Sequence, residues 1–70
     1  MLLVKDFRKV NRVAKEQWAG RPIDDEMSLK YKWAVVEHPH TDWERVLSCH
    51  ERYEDAKRVV ERAADELDLL

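Results

Sequence analysis

Between residues 31 and 67 the chain changes its hydrophobic period once, and that switch limits its possible folds more than any other feature. The segment YKWAVVEHPHTDWERVLSCH holds two strand-type runs around a loop with a proline, and ERYEDAKRVVERAADEL follows at helical spacing. In the first run Leu29, Tyr31, Trp33 and Val35 alternate with Lys30, Lys32, Ala34 and Val36, which predicts a strand over residues 29–37. In the second, Trp43, Leu47 and Cys49 alternate with Glu44, Val46, Ser48 and His50, which predicts a strand over residues 43–50. An antiparallel hairpin keeps these apolar sets together only if paired residue numbers sum to an even value. That requirement sets Trp33 opposite Leu47 or Cys49 and predicts a three- or five-residue turn within residues 38–42.

The helix after the hairpin is expected over residues 51–67. Tyr53, Ala56, Val60, Ala63 and Leu67 form its stripe, flanked by Val59 and Ala64. Glu54–Arg58, Lys57–Glu61 and Arg62–Glu66 stand at i,i+4, each contributing about 0.2–0.5 kcal/mol. An amphipathic helix is also expected over residues 3–19. Leu3, Phe7, Val10, Ala14 and Trp18 fall on one stripe, and Lys5, Arg8, Lys9, Arg12 and Lys15 on nearly the opposite face. Gly20 and Pro22 end it. Residues 20–28 read as a polar linker, in which Asp24, Asp25 and Glu26 are solvated carboxylates without a calcium-loop pattern.

The expected fold is therefore one α+β domain of α-β-β-α order, an antiparallel hairpin packed against two amphipathic helices. Two strands leave two open edges, and seventy residues bury only about 60% of the unfolded surface. A homodimer that joins two hairpins into a four-stranded sheet meets both problems. Cys49 is the only cysteine, which excludes an intrachain disulfide and suits a reducing, cytoplasmic setting. The start Met1-Leu2-Leu3-Val4 meets Lys5, Asp6 and Arg8 too soon for a leader, and no run spans a bilayer, so no membrane association is expected. The net charge of −2 divides unevenly. Residues 1–21 hold six basic groups against two acidic ones, a balance of +4, and residues 22–70 hold seven against thirteen, a balance of −6. Opposite ends of this kind attract one another within a chain or between subunits.

Chemistry finds little footing. His38, His40, Cys49 and His50 are metal-ligand types, yet the first two stand at the turn and the others at the far end of a strand, roughly 20 Å away. Cys49 and His50, as strand neighbours, point to opposite faces. Ser48 and His50 share a face without a positioned acid, and one glycine rules out a phosphate loop. No cofactor, metal or catalytic residue is expected.

Three tryptophans are the least ordinary feature. Trp33 reads as core, whereas Trp18, Trp43 and Tyr31 read as interface anchors. The strings KWAVVEHP, WERVL and RYEDAKRVVERAADEL resemble the end of the plant ethylene-response-factor type of DNA-binding domain. The resemblance covers about half of the chain. It implies a three-stranded sheet packed on one helix, with DNA read by the strands. The family's glycine-containing first strand is absent, and Ser48-Cys49-His50 stands where Gly-x-Phe would precede the helix. Shared hairpin-helix physics accounts for the likeness.

The reading favoured by the residues is a small non-enzymatic protein-binding module of inhibitor or adaptor type with charged rims, of a size that suits a phage or mobile-element origin. Its aromatic anchors would meet an unidentified protein partner. The alternative is nucleic-acid binding through Lys5, Arg8, Lys9, Arg12 and Lys15.

Overall fold

The computed structural model describes the backbone of residues 2–68 and the side chains of residues 2–64. Three antiparallel strands, β1 (Leu2–Asp6), β2 (Trp33–Glu37) and β3 (Arg45–His50), form one sheet in the order β1-β2-β3. A single 3-10 turn (Phe7–Lys9), α1 (Arg12–Ala19) and α2 (Asp25–Lys30) lie between β1 and β2, and α3 (Tyr53–Asp68) follows β3. The α+β class, the antiparallel hairpin and the helix that follows it are as the sequence predicts. A third strand is added, so the sheet that was expected to need a second chain is three-stranded within one.

Residues 3–19 are not one helix. Leu2–Asp6 instead form β1, which pairs without interruption along β2, from Leu2 opposite Glu37 to Asp6 opposite Trp33. The side chain of Asp6 accepts from the Arg8 amide and starts the 3-10 turn. Asn11 then caps α1, its Oδ1 accepting from the Val13 amide at 2.8 Å. Gly20 ends α1 in the left-handed region at φ 71°. The stripe read from the sequence nevertheless reaches the core. Phe7, Val10 and Ala14 are buried in one cluster with Ala34, Val36 and Val46, and Leu3 and Trp18 pack against it.

The sheet is covered on both faces. Helix α1 packs on β3, and α3 crosses all three strands. Successive β2 residues Ala34, Val35 and Val36 are all fully buried, which a strand covered on one side could not achieve. Ala34 and Val36 join the α1-side cluster. Val35 shares the other parity with Trp33, whose ring meets Tyr53 of α3 edge-on at 5.1 Å. Ala56 of α3 is fully buried. Each fully buried large side chain here, such as Phe7 or Val35, contributes about 1.5–3 kcal/mol.

The hairpin begins in the expected parity and then changes it. Glu37 faces Arg45 and Val36 faces Val46, both even sums, which is the three-residue-turn register with the ladder stopping earlier. A β-bulge opposite Val35/Val36 inserts Leu47, so Val35 meets Ser48 and Trp33 meets His50, not Cys49. The strands are also shorter than predicted. Leu29 and Lys30 belong to α2, which Asp24 caps by accepting from the Met27 amide at 2.8 Å, with Asp25 and Glu26 in its first turn. The three carboxylates read as a solvated linker start a helix.

Candidate functional site

The hairpin connection, residues 38–44, is the most unusual local structure. His38 and His40 take φ of 53° and 63°, a left-handed conformation that costs a non-glycine residue about 1–2 kcal/mol. His38 is restricted further because Pro39 follows it. Hydrogen bonds hold the strained path. Thr41 Oγ1 donates to the His38 carbonyl at 2.7 Å and accepts from the Trp43 amide at 3.2 Å. The Glu44 amide donates to the Thr41 carbonyl at 3.2 Å.

Glu44 fixes the connection to the body of the domain. Its side chain is only 3% exposed and lies 2.7 Å from Lys5 Nζ of β1. The Asn11 amide donates to its Oε2 at 3.1 Å and the His40 amide to its Oε1 at 3.4 Å. Burial pushes the Glu44 carboxyl up, but Lys5 and the two amides outweigh it and leave it below the usual glutamate range. One carboxylate therefore ties the hairpin connection to β1 and to the start of α1.

Between these fixed points Trp43 stands 81% exposed. An indole presents up to about 250 Å² of mostly apolar surface and one N–H donor, the combination that suits a protein interface. The backbone around it is already ordered, so burying it against a partner would cost little further conformational entropy. Beyond Trp43, Arg45 and Leu47 of β3 line a groove of about 490 Å³ against Ala14, Gln17 and Trp18 of α1.

Trp18 and Tyr31 are placed differently. Tyr31 meets Phe7 at 6.1 Å and Trp18 at 5.5 Å, and all three belong to the core or pack on it. Both keep a partial surface in a cleft with Arg21 and Lys30. A larger cleft of about 600 Å³ has Leu29, Tyr31 and Trp33 among Asp6, Arg8, Asp25 and Lys32. Leu29, expected to alternate into the sheet, is 80% exposed there.

The five basic residues do not share a helix face. Lys5 lies on β1, half-buried against Glu44. Arg8 forks onto Asp6 with Nε and Nη2 at 3.3 and 3.1 Å, which lowers the Asp6 carboxyl pKa and raises that of Arg8. Arg12 bonds Glu16 at 3.0 Å, and Lys15 Nζ lies 4.8 Å over the Phe7 ring. Lys9 is exposed on the 3-10 turn. Moreover, α1 packs on β3, so that strand is not bare on both faces.

Other reactive groups are separate. Burial pushes the Cys49 thiol up to about 12, with Lys15 opposing the shift. Ser48 Oγ lies 2.8 Å from His50 Nε2, but neither residue lines any of the three clefts described above. Among the described residues no group of three or more His, Cys, Asp or Glu is placed to hold a metal, and no helix is long and apolar enough to cross a membrane. Glu44 was not legible as an anchor, because Lys5 and Asn11 are distant in sequence and only the folded chain brings them to it. Comparison with protein-family models, curated proteins and solved structures found no match.

Proposed function

We propose that this chain is a non-enzymatic protein-binding module, of inhibitor or adaptor type, anchored by Trp43. The observation that carries the reading is an indole 81% exposed on a connection whose backbone is already fixed. Exposed aromatic anchors on rigid supports dominate the energetics of protein interfaces. Self-association belongs to the same proposal, since a dimer would offer two Trp43 anchors to one partner. Nucleic-acid binding has less support, because Lys5 is committed to Glu44 and the remaining basic groups are dispersed.

The test is capture from a nuclease-treated reducing lysate with tagged wild-type protein and with Trp43→Ala. The expected result is one protein retained by the wild type and lost by a variant of unchanged circular dichroism. Capture that survives Trp43→Ala would overturn the assignment of the anchor. Recovery that vanishes on nuclease treatment, and with Arg8→Glu plus Arg12→Glu, would favour nucleic acid instead.

A further inference from the structure

The two edges of the sheet differ. Along β3 the ladder is broken by the bulge at Leu47, and bulges twist an edge away from further pairing. Along β1 all five residues keep a regular register with β2, without a bulge or proline. The phase of β1 follows from its last bond. The Phe7 amide donates to the Lys32 carbonyl at 3.0 Å, so by alternation Lys5 and Leu3 bond inward to β2. The N–H and C=O groups of Leu2, Val4 and Asp6 are left pointing away from the sheet.

We propose that β1 is the pairing edge for a second copy of this chain, with antiparallel β1 strands related by a two-fold axis at Val4. Val4 then faces its own counterpart, and Leu2 faces Asp6 of the second copy, so the outward groups meet as hydrogen-bonded pairs. No like charges oppose one another: Lys5 falls opposite Leu3 and keeps Glu44, and Asp6 keeps Arg8. Two three-stranded sheets become one of six strands. The same axis keeps both α3 helices on one face, where Val59, Val60 and Ala63 are only half-buried in the single chain. The joining strand is thus β1, which the hairpin-to-hairpin dimer expected from the sequence did not contain. This rests on the expectation of self-association and is independent of Trp43.

The experiment is light-scattering mass on the full chain, made by chemical synthesis, from micromolar to millimolar concentration. Wild type is expected to approach twice 8.4 kDa. N-methylation of the Val4 amide, which removes one outward donor and keeps the side chain, is expected to give a folded monomer. Trp43→Ala is expected to leave the mass unchanged, which separates this proposal from the anchor. Wild type that stays monomeric, or an N-methyl-Val4 protein that still dimerises, would overturn it. An N-methyl-Val4 chain that fails to fold would mean that this amide bonds inward, and would overturn it too. Amide exchange on the wild type gives an independent reading: Val4 is expected to gain protection with concentration, and concentration-independent exchange at Val4 contradicts the pairing.

Discussion

Glu44 is the buried carboxylate on which the hairpin connection depends, and its consequences are local enough to measure. Glu44→Gln keeps the shape but leaves Lys5, half-buried, without its counter-charge. A loss of about 3 kcal/mol is expected in denaturant unfolding. The pH dependence has a fixed sign. The folded Glu44 pKa lies below the unfolded value, so its stabilisation is present above the usual glutamate range and is lost as pH falls through the folded value. Glu44→Gln should therefore flatten the acid limb of a stability–pH curve, and an unchanged limb would contradict the assignment. Cys49 offers a second residue-scale test. With its thiol pushed up to about 12 and half-buried, alkylation at pH 8 should be slow in the native state and fast in denaturant.

Among elements, α2 and β1 are instructive because local rules and tertiary pairing gave different outcomes. The capping signal of α2 was present in the sequence: Asp24 followed by two acidic residues, with Lys30 in the last turn. Asp24→Ala should cost about 1 kcal/mol, read as a lower thermal midpoint with the core unchanged. For β1 the helical spacing of Leu3, Phe7 and Val10 was real, but it reflects a shared destination in the core and not a shared helix. Nothing local distinguishes the two, since what makes Leu2–Asp6 a strand is β2, some thirty residues later. The hairpin, α3 and the Gly20 stop were legible because each is written in period or turn chemistry. The bulge was not, because no period or turn residue in the strand marks it and it shows only in the pairing of β2 with β3. Trp18, Trp43 and Tyr31 were read alike as interface aromatics; the structure exposes Trp43 and packs Trp18 and Tyr31 against each other and the core, a difference that only the fold decides.

At the scale of the molecule, a sheet covered on both faces keeps Ala34, Val35 and Val36 fully buried and leaves Trp43 exposed on the hairpin connection. The core is small, so single large truncations are severe: Phe7→Ala should lose roughly 4 kcal/mol and much of the cooperative transition. Trp43→Ala, at an exposed site, should change stability by no more than about 0.5 kcal/mol. That contrast separates residues that hold the fold from the one presented by it. The most direct measurement follows the three indole N–H resonances of labelled protein as the captured partner is added. Trp43 is expected to shift and become protected from solvent while Trp18 and Trp33 hold their positions. A partner that binds with Trp43 unmoved would contradict it.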